Sequence, residues 1–237
     1  MNTALIIAGG TGSRVGNEIP KQFLTVNEVP VIIYTLKVFQ EQKSIDKIAV
    51  VCLSGWHEVL KAYCRQFGIS KLETIIEAGN TRFDSINNGL NGIKSWSKDD
   101  DLVSIHDANR PLVFSEIITH NQEIASKYGC AMTAVPCNDT MFFSYDHIVV
   151  NKNADRSTIF AGQTPETFKY RIIKDIYERA QADNAGDLAS SALMIKYGYK
   201  VYLSKGSSIN FKITTKDDLY TFRALISCRE NMHELKK

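Results

Sequence analysis

The chain has 237 residues, with 28 basic against 26 acidic side chains and a formal charge of +2. That length suits one folded domain spanning residues 1–237, and 44% hydrophobic with 23% charged residues excludes a disordered chain. The near-neutral total excludes a dedicated nucleic-acid binder, and no apolar run approaches the roughly 18 residues that a membrane span requires.

In chain order, the first signal is the continuous apolar run 3–8 (TALIIA), which stops at Gly9-Gly10. Such a run predicts a strand buried on both faces, as in a parallel sheet. It follows Met1-Asn2-Thr3 without a basic segment or cleavage site, so no signal peptide is expected. Similar runs recur at 47–53 (KIAVVCL), 101–105 (DLVSI) and 131–135 (AMTAV). Helical stripes alternate with them. Pro30 opens a segment in which Ile32, Ile33, Leu36 and Phe39 share a face. Val59, Leu60, Tyr63 and Phe67 repeat the pattern before Gly68, and Phe83, Ile86, Leu90 and Ile93 make a third stripe. Ser115 is expected to cap a helix over 116–128 that Gly129 ends. From Cys137 to about Thr158 helix signals fade, and a projecting hairpin is expected with Phe142-Phe143 and Ile148-Val149-Val150 as its arms. Thr215 and Asp218 have capping-box spacing ahead of a last helix. The fold class is therefore α/β: a mainly parallel twisted sheet flanked by helices, carrying a protruding β-arm.

Five cysteines at 52, 64, 130, 137 and 228 contain no C-x-x-C, which argues against a disulfide framework and points to the cytoplasm. The residues suited to chemistry cluster in four strings. The first is the loop from Ala8 to Gly16, with Gly9, Gly10, Gly12 and Arg14, followed by Lys21 in Pro20-Lys21-Gln22. It satisfies neither the P-loop pattern nor G-x-G-x-x-G, since Gly10, Gly12 and Gly16 carry one residue too many. A plain glycine turn is one reading. Two cations at the end of a buried first strand favour a phosphate site instead. The second string is His106-Asp107-Ala108-Asn109-Arg110-Pro111, where Asp107 is either a loop cap or a Mg²⁺ ligand and His106 a structural hydrogen-bonder. The third, Asn210-Phe211-Lys212-Ile213-Thr214, has a β-like look in which Lys212 alone reads as a surface lysine. The fourth comprises Arg156 and Gln163-Thr164-Pro165. No G-x-S-x-G elbow or recognisable Cys–His motif offers a nucleophile.

Taken together and in this order, AGGTGSR, PKQF, GNTRFDS (79–85), HDANRP, GQTP and NFKIT resemble the cytidylyltransferase family that includes the methylerythritol-phosphate and ribitol-5-phosphate enzymes. The resemblance implies a nucleotidyltransferase fold, CTP and a phosphorylated polyol as substrates, Mg²⁺ as cofactor, and a homodimer joined through the arm at 137–158. It further implies roles. Arg14 and Lys21 would hold the triphosphate, with Lys212 at the α-phosphate and Asp107 on Mg²⁺. Ala8, Gly9, Gly10, Gly12, Gly79, Asn80, Arg82 and Ser85 would bind CTP, and Thr140, Arg156 and Thr164 the acceptor's phosphate. Asn80 stands where the isoprenoid enzymes often carry Asp, and Asn109 replaces a small or apolar residue. No basic residue follows Asp139-Thr140-Met141, which resembles the polyol-phosphate branch. The expected acceptor is ribitol 5-phosphate, for cell-wall or capsule polymers, with methylerythritol 4-phosphate of isoprenoid synthesis as the alternative. In-line phosphoryl chemistry between two anions relies on positioning and charge, which fits motifs rich in Arg, Lys, Asp and Gly.

Overall fold

The structure, a computed structural model, describes residues 1–10, 19–186 and 188–234. Strand β1 (Asn2–Ala8) leads, past residues 11–18, to a 3-10 turn at Lys21–Phe23 and a short ribbon of β2 (Thr25–Val26) and β3 (Val29–Pro30). Helix α1 (Val31–Glu41), β4 (Lys47–Cys52), α2 (His57–Gln66), β5 (Leu72–Glu77), α3 (Arg82–Gly92) and β6 (Leu102–Asp107) continue the alternation. Next come α4 (Ser115–Tyr128), β7 (Cys130–Pro136) and an arm whose ribbon pairs β8 (Phe142–Phe143) with β9 (Lys152–Asn153). The long β10 (Phe160–Lys169), α5 (Tyr170–Ala182), α6 (Ser190–Lys196), β11 (Leu203–Lys205) and α7 (Lys216–Glu234) complete the chain.

The central sheet has the order β11-β7-β10-β6-β1-β4-β5. Parallel pairing joins β1 to β4 and β6, β4 to β5, and β7 to β11, while β10 runs antiparallel between β6 and β7. The continuous apolar runs follow from this architecture, because alternate side chains of one strand enter different cores. Ala4, Ile6 and Ala8 of β1 pack with Ile32, Ile33, Leu36 and Phe39 of α1 on one face. Leu5 turns to the other, against Phe83, Ile86 and Leu90 of α3 and Ile173, Ile176 and Tyr177 of α5. A third cluster seats Phe222 and Ile226 of α7 on Val26, Val31, Leu112 and Ile213.

Four expectations are corrected. Phe114 occupies the cap position of α4, where a phenyl ring cannot cap through a hydrogen bond, and Ser115 is the helix's first residue. Its hydroxyl is instead turned to the Gln42 side chain. Residues 211–214 form no strand; a single backbone bond to Asn109 and side-chain bonds, not a ladder, hold them. Residues 148–150 lie outside the arm's ribbon, because Phe142 pairs with Asn153 and Phe143 with Lys152. Val59, expected on the buried face of α2, is exposed, leaving Leu60 and Cys64 to face the core. The predicted capping box of α7 is present: Asp218 N–H donates to Thr215 Oγ1 at 3.2 Å, and Thr215 N–H to Asp218 Oδ2 at 2.7 Å.

Candidate functional site

The carboxyl ends of β1 and β6 open into a cavity of about 380 Å³, where open α/β sheets receive ligands. Its wall contains Ala8, Gly9, Gly10, Lys21, Gly79, Asn80, Arg82, Ser85, Asp107 and Lys212, ten of the residues singled out from sequence. Gly12 and Arg14 lie outside the described residues. Two glycines are fixed by crowding: a Cβ on Gly9 would come within 2.6 Å of Ala78 Cβ, and one on Gly79 would collide with Asp84. The backbone of Gly79 is further held by its N–H donating to Ser85 Oγ at 3.1 Å. Thr81 and Asp84 form a reciprocal capping box that starts α3 and places Arg82 at the cavity rim.

Asp107 ends β6, and its side chain is only 7% exposed. Three cations surround it: Lys212 Nζ at 3.0 Å and Arg110 Nε at 3.4 Å from Oδ2, and Arg82 Nη2 at 3.5 Å from Oδ1. Burial pushes its pKa up, but Lys212, Arg82 and Arg110 together outweigh that and hold the carboxyl well below the ordinary carboxylate range. For Arg82, burial opposes the charge, and Asp107 with Glu166 outweighs it. The loop bearing Lys212 is tied down on both sides. Arg110 Nη1 donates to Asn210 O at 2.8 Å, and Asn210 Nδ2 to Thr164 O at 2.9 Å. Asn109 Nδ2 donates to Ile213 O at 2.7 Å, while Ile213 N–H returns a bond to Asn109 O at 2.8 Å.

His106 is fully buried, and burial pushes its pKa down to about 4, leaving a neutral ring. Its Nε2 lies 3.1 Å from Arg110 O, which can only accept, so Nε2 carries the hydrogen. Nδ1 then accepts from Thr164 Oγ1 at 3.0 Å, and that hydroxyl accepts from Asp107 N–H at 3.1 Å. The Thr164 proton is thus committed within the protein. Thr164, expected at the acceptor's phosphate, lines the second cavity beside this chain of bonds.

A second cavity of about 350 Å³ adjoins the first through Thr81, Arg82, Asp107 and Lys212, and extends to Met132, Gln163, Thr164, Glu166 and Leu188. Thr140 and Arg156, expected at an acceptor phosphate, line neither cavity of this chain. Both are exposed on the arm, where Arg156 Nη1 donates to Asn138 O at 2.8 Å. Gln22, Arg110 and Glu166 are site residues to which the sequence reading assigned no role. Gln22 is buried and donates both amide hydrogens, to Ala8 O at 2.8 Å and Gly10 O at 2.9 Å, pinning the start of the glycine loop. Its place in Pro20-Lys21-Gln22 was the available signal.

For Mg²⁺, the donor set offers Asp107 as a single carboxylate, and no group of three or more His, Cys, Asp or Glu side chains forms a metal cage among the described residues. That fits an ion held by one carboxylate together with substrate phosphates and water.

Two joined cavities meeting at a buried carboxylate with three cations define a nucleotidyltransferase type of site. The family model of 2-C-methyl-D-erythritol 4-phosphate cytidylyltransferase, IspD, matches residues 2–227, and the chain belongs to that family of cytidylyltransferase enzymes. It is similar to a ribitol-5-phosphate cytidylyltransferase of Lacticaseibacillus paracasei, 39% identical over 97% of this chain and 100% of the relative. A protein of that name from Vibrio parahaemolyticus is 41% identical over 98% of each chain. A 2-C-methyl-D-erythritol 4-phosphate cytidylyltransferase of Clostridium botulinum is 37% identical over 92% of this chain and 94% of the relative. Among solved structures, the 4-diphosphocytidyl-2C-methyl-D-erythritol synthase of Anaerococcus prevotii shares the fold with a TM-score of 0.82 at 24% identity, covering 95% of each chain.

Proposed function

We propose that this enzyme transfers the cytidylyl group of CTP to ribitol 5-phosphate, giving a CDP-polyol and pyrophosphate. The observation that carries the reading is the shared wall of Arg82, Asp107 and Lys212 between two cavities in a chain of this family. CTP occupies the first cavity, its base against Gly79, Asn80 and Ser85 and its triphosphate toward Lys21. Arg14 joins Lys21 on the strength of the sequence motif alone. The acceptor's phosphate enters from the second cavity. One of its oxygens attacks the α-phosphorus, a new P–O bond forms, and the bond from that phosphorus to the bridging oxygen breaks as pyrophosphate leaves. Lys212 and Arg82 neutralise charge on the transferring group, and their fixed placement means that little reorganisation is needed during reaction. Asp107 would hold Mg²⁺, which would supply further charge neutralisation to the phosphates.

Ribitol 5-phosphate is supported by the printed names of the Lacticaseibacillus and Vibrio relatives and by the absent basic residue after Thr140. The Clostridium relative supports methylerythritol 4-phosphate as the second reading. A pyrophosphate-release assay with CTP, Mg²⁺ and each acceptor separates them: ribitol 5-phosphate is expected to have the higher kcat/KM, and turnover confined to methylerythritol 4-phosphate would reverse the assignment.

The arm presents Phe142, Tyr145, Ile148 and Val150 at 54%, 77%, 87% and 61% exposure, apolar side chains that a second copy would cover. We therefore read the working unit as a homodimer, in which Thr140 and Arg156 of each arm reach the second cavity of the other protomer.

A further inference from the structure

Glu166 sits on β10 at 4% exposure, on the wall of the second cavity. A carboxylate buried to that degree needs partners for both oxygens. Oε1 has two: the Ser191 backbone N–H at 3.1 Å and the Ser191 hydroxyl, both at the start of α6. Among the described residues, Oε2 has only Arg82 Nη2 at 3.8 Å, beyond hydrogen-bonding distance, and that guanidinium lies nearer to Asp107 at 3.5 Å. Charge is balanced there, but an oxygen with lone pairs remains directed at the cavity.

The rest of the wall narrows the choice of ligand. Met132, Gly162, Leu188 and Ala189 bring no polar side-chain groups. Gln163 is committed elsewhere, its Nε2 donating to Ser207 O at 2.8 Å and its Oε1 accepting from Ser207 N–H at 3.3 Å. A carboxylate repels phosphate and accepts from hydroxyls. The phosphate end of an acceptor therefore belongs at Lys212 and Arg82, and its hydroxyl-bearing chain beside Glu166. We infer that Glu166 is a specificity residue whose Oε2 accepts a hydrogen bond from a hydroxyl of the polyol chain. The inference rests on the proposed polyol-phosphate acceptor. The contrasting reading, in which Glu166 only anchors α6 and balances Arg82, uses Oε1 and charge but not Oε2.

The test is a cycle of kcat/KM values for wild type and Glu166→Gln with CTP, Mg²⁺, ribitol 5-phosphate and its monodeoxy analogues. In the variant, Ser191 N–H holds the amide oxygen on the Oε1 side, so an NH₂ group replaces the accepting Oε2. One deoxy analogue is expected to react about 10- to 100-fold worse than ribitol 5-phosphate in the wild type, as for a lost hydrogen bond to a charged group. Ribitol 5-phosphate itself should drop by a similar factor in Glu166→Gln, with the deoxy penalty collapsing and the KM for CTP within twofold. Unchanged deoxy penalties, or equal losses with every acceptor, would overturn the assignment while the acceptor reading stands. Wild-type silence with every polyol phosphate would overturn both. Should Glu166→Gln melt far below the wild type, Glu166→Asp serves in its place. It keeps the charge beside Arg82 and withdraws the oxygen by one methylene, and the same collapse is expected.

Discussion

The wall around Asp107 and the arm at 137–158 are opposite solutions to the same difficulty of incomplete surfaces. At the wall, a carboxylate leaves water because three cations from α3, the loop after β6 and the 210–214 segment converge on it. On the arm, Tyr145 and Ile148 remain 77% and 87% exposed because a two-residue ribbon has no core to offer them. The wall is completed within one chain, at the expense of holding charges out of water. The arm leaves its apolar side chains exposed within one chain, and the proposed homodimer would cover them. Substitutions in the two regions should therefore differ in kind: those at the wall act within one chain, those on the arm through the proposed pairing of chains.

The largest effect is expected at Asp107. Asp107→Asn removes the one negative charge shared by Lys212, Arg82 and Arg110, leaving cations facing one another in a poorly solvated site. Loss of a buried partner costs about 3–5 kcal/mol, and kcat/KM should fall by at least about 10³-fold as the wall loses its geometry. Steady-state kinetics with a thermal melt checks both, and a stable, active Asp107→Asn would dissolve the contrast between the regions. Lys212→Ala sharpens it. Turnover should fall by about 10²–10³, yet the melting temperature should move little, because Arg82 and Arg110 still neutralise Asp107. A large drop in melting temperature with modest kinetics would recast Lys212 as a structural group.

For the arm, Lys21→Ala and Arg156→Ala should each be inactive alone and regain activity when subunits are exchanged. If arms cross between protomers, half of an equal mixture is mixed dimers with one intact site each, or about a quarter of wild-type activity. No recovery, with exchange shown by labelled chains, would place Arg156 in its own chain's chemistry. Ile148→Asp should shift the molecule toward monomer in light scattering without lowering the melting temperature of the single chain. A melt as disrupted as that of Asp107→Asn would show the arm to be part of the core.

The smallest effect concerns pH. The unfolded chain protonates histidine near 6.5, but His106 in the fold resists down to about 4. Unfolding therefore takes up a proton in that window, and stability present above pH 6.5 declines as pH falls toward 4. Asp107, depressed below its usual range, adds its own loss as pH falls below about 4. His106→Gln should flatten the first part of the decline in melts taken between about pH 7 and pH 4.5. Parallel curves would mean that another group controls it.

How much of this was legible in the sequence depended on whether a residue announced itself by periodicity. β1, β4, β6 and β7 were visible because burial on both faces requires continuous apolar runs. β5 was not, since Leu72–Glu77 carries charged residues at a half-covered sheet edge. β10 hid behind Gly162 and Pro165, residues that usually speak against a strand, and its pairing with β7 does shift register between Gln163 and Glu166. Glu166 was lost with it. The glycine loop, Asp107 and Lys212 were found through motif order, but nothing local to 210–214 reveals that Asn109, Arg110 and Thr164 hold that segment across about 50 to 100 residues of chain.

The hydrogen-bond chain from Arg110 O through His106 and Thr164 to the Asp107 backbone has one more implication, for the acidity range in which the enzyme works. Every hydrogen in that chain is already placed at neutral pH, and its only titrating member keeps the same form down to about 4. The acid limb of the rate profile should then belong to the acceptor, whose phosphate gains its second negative charge at about pH 6 and with it its strongest attacking oxygen. In that sense this hydrogen-bond chain is a mould of fixed protonation above about pH 4, and the substrate carries the switch in rate.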